Sequence, residues 1–135
     1  MPGWGTGSFD NDDAKNFLGV LHSKEPADLE LVLAQVADHE GYLEAPESSV
    51  AVAAAEVVAT GRGKPPATVP HEIAEWVNKV EGEPSTKLSE LARRAVDRVR
   101  TNSELKDLWL EAEGLNDWSA ALRDLEERLS GEGPE

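Results

Sequence analysis

The chain contains no cysteine, which removes disulfides, thiol nucleophiles and thiolate metal sites at one stroke. That usage fits a reducing compartment, and the expected location is the cytoplasm. Long hydrophobic runs are also missing. The longest apolar-rich stretch, Val50 to Val58, carries Glu56 and falls well short of the ~20 residues that a membrane-spanning helix needs. No charged n-region followed by an apolar core stands near the N-terminus, so a soluble protein without classical export is expected. Strand patterning is absent too: Val50-Ala-Val52 alternates briefly, but the alanines around it favour helix. Positive charge is scarce, with 13 basic residues against 27 acidic ones and a formal net charge of −14. Such a field repels nucleic-acid phosphates and anionic lipid, so neither nucleic acid nor membrane is an expected partner. It leaves a basic protein partner, or mimicry of nucleic acid, as the positive options.

What is present reads as helix almost throughout, in a chain of 135 residues, a usual length for one domain. Ala14, Phe17, Leu18 and Leu21 share one face of a first helix, capped by Asp10 or Asn11, with Asp12 and Asp13 suited to its positive end. Pro26 opens a second helix with Leu29, Val32, Leu33 and Val36 inward, and Gly41 is expected to close it. A third runs from about Pro46 to Thr60 with Gly61 as its stop, followed by the proline-rich loop Gly61 to Pro70. A fourth carries Ile73, Trp76, Val77 and Val80, and Gly82 and Pro84 interrupt the chain after it.

A fifth, capped by Ser85 or Thr86, turns Leu88, Leu91, Ala92, Ala95, Val96 and Val99 inward. Ser103 caps a short sixth helix with Leu105, Leu108 and Trp109, ended by Gly114. Asn116 or Asp117 caps a seventh with Trp118, Leu122, Leu125 and Leu129. The expected fold is therefore all-α: a single compact bundle of six to seven short helices over residues 1–130, around a central Ala-rich helix, with a disordered acidic tail at 131–135.

The third helix stands apart. From Val50 to Ala59 it is apolar on every side except at Glu56, which marks a central helix. A buried carboxylate must be protonated or find donors. The nearest expected donors are backbone N–H groups of the loop Trp4 to Phe9, or the Trp4 indole, so that Glu56 pins the N-terminus over the bundle. Trp76, Trp109 and Trp118 sit among aliphatic residues at helical spacing and read as core anchors. Lys87, Arg93, Arg94, Arg98 and Arg100 concentrate positive charge on the fifth helix. Without aromatic or glycine-rich neighbours they read as partners for acidic faces, or for Glu90 within the helix.

Chemistry-bearing motifs are few. The glycines of Gly3-Trp4-Gly5-Thr6-Gly7 precede a helix, but no strand comes before them, no cation lies in the loop and Asp10, Asp12 and Asp13 would repel a phosphate. The acidic cluster lacks calcium-loop spacing. His22, His39 and His71 fall in no metal-ligand spacing, and His39-Glu40 lacks the second histidine of a zinc-protease helix. No nucleophile elbow occurs.

The segments Trp4-Gly5-x-Gly7-x-Phe9-x-Asn11-Asp12, Ala53-Ala-Ala-Glu56-Val-Val-Ala59 and Ser103-Glu-Leu-x-x-Leu-Trp109, with the later Trp118, resemble the bacterial family named domain of unknown function 4259. The resemblance implies a small bacterial protein, brings no activity or catalytic residues with it, and suggests that the N-terminal motif and Glu56 belong together.

The functional expectation is a non-enzymatic protein acting by protein–protein contact, immunity-type or accessory, against a basic partner, with no cofactor and no metal. The alternative is a small-ligand or divalent-ion binding protein, or an enzyme, with a carboxylate pocket between the N-terminal loop and the Ala-rich helix. The candidate binding residues are Trp4, Gly5, Gly7, Phe9, Asp10, Asn11, Asp12, Asp13 and Glu56, each with a structural role as its competing explanation. Nucleic-acid mimicry is a third option, requiring carboxylates along an exposed ridge.

Overall fold

A computed structural model describes residues 8–9, 11–80, 82 and 84–130. The order along the chain is α1 (Asp12–Val20), a single 3-10 turn (Leu21–Ser23), α2 (Pro26–Ala37), α3 (Ala45–Gly61), α4 (His71–Lys79), α5 (Thr86–Thr101), α6 (Glu104–Glu111) and α7 (Leu115–Ser130). The fold is all-α. The tail 131–135 lies outside the described residues, as do Trp4, Gly5, Gly7 and Asp10.

The ends of these helices follow from local chemistry. Asn11 caps α1 by accepting from the Ala14 N–H at 2.8 Å, Ser85 caps α5 through the Leu88 N–H and Ser103 caps α6 through the Lys106 N–H. Asp28 Oδ2 reaches back to the Glu25 N–H at 2.8 Å, closing the first turn of α2 behind Pro26.

Four expected boundaries move, one of them the stop of α6, which falls at Glu111 ahead of Gly114. Helix α2 ends at Ala37, capped at Asp38, and Gly41 lies beyond it in the connecting loop with φ +85°. Helix α3 runs through Gly61, and the left-handed residue that turns the chain is Gly63, at φ +82°. There the Lys64 N–H reaches Ala59 O and the Gly63 N–H reaches Thr60 O, the paired bonds of a Schellman stop. Helix α7 begins at Leu115, ahead of both expected caps, because the Trp118 N–H bonds Gly114 O and closes the first turn from two residues before Asn116.

Helix α3 is the axis of the bundle and touches every other α-helix. Its residues from Ala51 to Ala59 are all buried, Glu56 included, and the alanines allow close approach from all sides. Around it the inward stripes of α1, α2, α5 and α7 close one continuous core to which Trp76, Trp109 and Trp118 contribute. At about 25 cal/mol per Å² of apolar surface removed from water, this burial is the main force holding the helices together.

Candidate functional site

Glu56 faces α7 and the start of the chain, and its side chain is 5% exposed. Arg128, in the last turn of α7, grips it with both arms of the guanidinium: Nη1 donates to Oε1 at 2.8 Å and Nη2 to Oε2 at 3.2 Å. Arg128 Nη1 also donates to Lys64 O at 3.2 Å, and Nε donates to Asp124 Oδ2 at 3.0 Å. Ser8 Oγ supplies a further donor to Glu56 Oε2 at 2.7 Å. Burial works against the Arg128 charge, but the hydrogen bonds and attraction of Glu56, then those of Asp124, outweigh it and hold the guanidinium above its ordinary range. The planar fork matches the carboxylate, and such a bidentate grip is specific to arginine.

Glu56 thus takes one donor from the expected N-terminal loop, through a side chain, and a second that was not expected, from α7. Among the described residues these are the hydroxyl of Ser8, a residue of the expected loop whose backbone from Trp4 to Gly7 lies outside the described residues, and a guanidinium from α7. The Trp4 indole lies outside the described residues. Arg128 carries one sequence signal: it stands three residues after Leu125, at the edge of the inward stripe of α7.

The remaining candidate residues scatter by role. Phe9 is half-buried and packs on the core. Asn11 is buried as the cap of α1. Asp12 is exposed and Asp13 half-buried in the first turn, where each meets the positive end of the helix. The structure therefore brings Ser8 to Glu56, while Asn11 is occupied by the backbone of its own helix. Among the described residues no group of three or more His, Asp or Glu has the arrangement to hold a metal ion.

A cleft of about 720 Å³ opens elsewhere, beside α1 and α4, with His22, His71, Glu72, Glu75, Trp76 and Lys79 on its walls. Several of its polar groups are engaged by the protein itself. The Trp76 indole donates to Lys24 O at 2.8 Å and the Lys79 ammonium to His22 O at 2.7 Å. The exposed His71 ring lies 3.4 Å from Glu72 and 3.6 Å from Glu75.

The arginines of α5 are engaged inside the molecule. Arg93 pairs with Glu90 one turn earlier, and Arg94 reaches Asp38 at the end of α2 at 2.8 Å. Arg98 donates to the carbonyls of His39, Gly41 and Asn102. Arg100 ties Asp97 and Glu126, joining α5 to α7. The hydrogen bond that Arg100 donates to Glu126 holds its guanidinium above the usual range against partial burial.

A family model described as domain of unknown function (DUF4259) matches residues 3–121. No curated protein matches the chain, and no solved structure does.

Proposed function

The chain belongs to the family described as domain of unknown function 4259, which assigns it no chemistry, and we propose that it acts by protein–protein contact with a basic partner. The most concrete form is an immunity-type or accessory protein in a bacterial cytoplasm. The observation that carries this reading is the fate of the cations. The net charge is −14, and Arg93, Arg94, Arg98, Arg100 and Arg128 are all engaged by the chain's own carboxylates and carbonyls. The field offered to an approaching molecule is therefore negative, which speeds encounter with a positively charged protein and disfavours phosphate-rich surfaces. Both oxygens of Glu56 are already occupied by Arg128 and Ser8, so this carboxylate serves better as a structural lock than as a base or ion ligand.

The test is affinity capture from native lysate of the source organism with the tagged full-length protein. A basic protein retained at low salt and released as salt rises is the expected result. Retention of no protein at low salt would overturn the proposal.

A further inference from the structure

Four large apolar side chains stand exposed among the described residues: Val20, Leu31, Tyr42 and Leu110. Isolated exposed apolar residues are ordinary, but two of these share one face. Tyr42, in the loop between α2 and α3, donates its hydroxyl to Asp107 Oδ2 of α6 at 2.9 Å. Leu110 stands one turn after Asp107 on the same helix, and so on the side of α6 that Tyr42 meets. Tyr42 and Leu110 are each 57% exposed.

The surroundings are acidic. Glu104 and Glu111 sit one turn to either side of Asp107 on α6. Two neighbouring cations are held by main-chain carbonyls: Lys106 donates to Thr101 O, and Arg98 to His39 O and Gly41 O. His39 Nε2 lies 3.2 Å from Tyr42 O.

The face is also held in place before anything docks. Arg98 staples the loop carrying Tyr42 to α5 through its carbonyls. The Glu104 N–H bonds Leu43 O at 2.8 Å, and Glu104 Oε1 accepts from the Ala45 N–H at 2.8 Å, so the start of α6 is clamped to the same loop. A tyrosine fixed by a hydrogen bond gives a large, amphipathic contact at small entropic cost, and tyrosine is favoured at the energetic centres of interfaces.

We infer that the face formed by Tyr42, Leu110 and the carboxylates of Glu104, Asp107 and Glu111 is the docking surface for a cationic amphipathic segment of a partner protein. The partner presents an apolar side chain to Tyr42 and Leu110, flanked by arginines or lysines that meet the three carboxylates. This inference rests on the basic-partner reading above and adds the place and the chemistry of the contact.

The test titrates isotope-labelled full-length protein with two synthetic peptides of equal positive charge, an amphipathic arginine–leucine helix and an oligo-arginine. Amide shifts centred on Tyr42, Glu104, Asp107, Leu110 and Glu111 are expected with the first. Its affinity should fall by about tenfold in Tyr42→Ala/Leu110→Ala and be unchanged in Leu31→Ala, which removes an exposed leucine elsewhere. Both positions are exposed, and circular dichroism of the double variant checks that the fold is kept. Shifts centred on another face, or equal binding of the two peptides, would overturn the inference. The lysate experiment separates the two levels. A basic protein retained equally by the wild type and the double variant removes this surface and leaves the proposed function standing; no protein retained by the wild type removes both.

Discussion

Glu56 is tolerable at the centre of an alanine-lined helix because Arg128 returns in the electrostatics of the pair much of what both lose in hydration. A buried pair is vulnerable when one partner goes, since the survivor keeps its desolvation penalty without compensation. Glu56→Ala and Arg128→Ala are each expected to lose about 3–5 kcal/mol in urea unfolding. Replacing both by apolar residues, Glu56→Leu with Arg128→Met, should lose far less than the two single losses added. Single variants with the wild-type midpoint would show that the pair does not hold the bundle.

At the surface, Tyr42 is the chain's one tyrosine, so its ionisation can be followed directly by ultraviolet absorbance. Its hydrogen bond to Asp107, then partial desolvation, then the charges of Asp107, Glu104 and Glu111 push the phenol up to about 12 from 10.0. A raised value means that the folded state prefers the protonated phenol. Its contribution to stability is therefore full below pH 10 and is lost as the pH rises through about 12. Asp107→Asn should move the titration back toward the ordinary value.

Among the elements, the stop after α6 shows what the chain gives up for a close fit. Its Schellman bonds run from the Gly114 N–H to Trp109 O and from the Glu113 N–H to Leu110 O. The residue that must then turn left-handed is Glu113, at φ +61°, rather than the neighbouring glycine. Gly114 is needed for space: a Cβ there would stand 2.7 Å from the Trp109 ring. Glu113→Gly should accordingly stabilise the fold by about 1 kcal/mol, because the left-handed penalty disappears. Gly114→Ala should destabilise it by about 1–3 kcal/mol through overpacking against Trp109. Thermal melts of the two neighbouring variants should shift in opposite directions.

The same elements show what a sequence reveals about helix ends. Asn11, Ser85 and Ser103 are legible as caps because the bond each makes spans three residues. The stops at Gly61, Gly41 and Gly114 are displaced in reality. Which of two nearby residues turns left-handed depends on what packs beside them, and glycine spacing does not encode that.

For the whole molecule, charge opposes compaction while the core drives it. With a net charge of −14, self-repulsion of the acidic surface should be relieved by screening, whereas the buried Glu56–Arg128 pair is shielded from salt. The melting midpoint of the isolated protein is expected to rise as sodium chloride increases from low to moderate concentration. A fall would mean that exposed pairs such as Arg94–Asp38 outweigh the general repulsion. The same screening should weaken capture of a basic partner, so salt is expected to move stability and binding in opposite directions.

The all-α fold, the central place of α3, the inward stripes and the three buried tryptophans were determined by the sequence alone. Periodicity, alanine content and capping act over a turn or two of chain and need no knowledge of what lies across the core. Tertiary structure decided the rest. Glu56 and Arg128 are 72 positions apart, and Tyr42 and Asp107 are 65 apart. No local propensity links such residues; they meet only because helices packed around α3 cross where they do. A buried charge announces that it needs a partner, but which of many cations reaches it is settled by packing geometry.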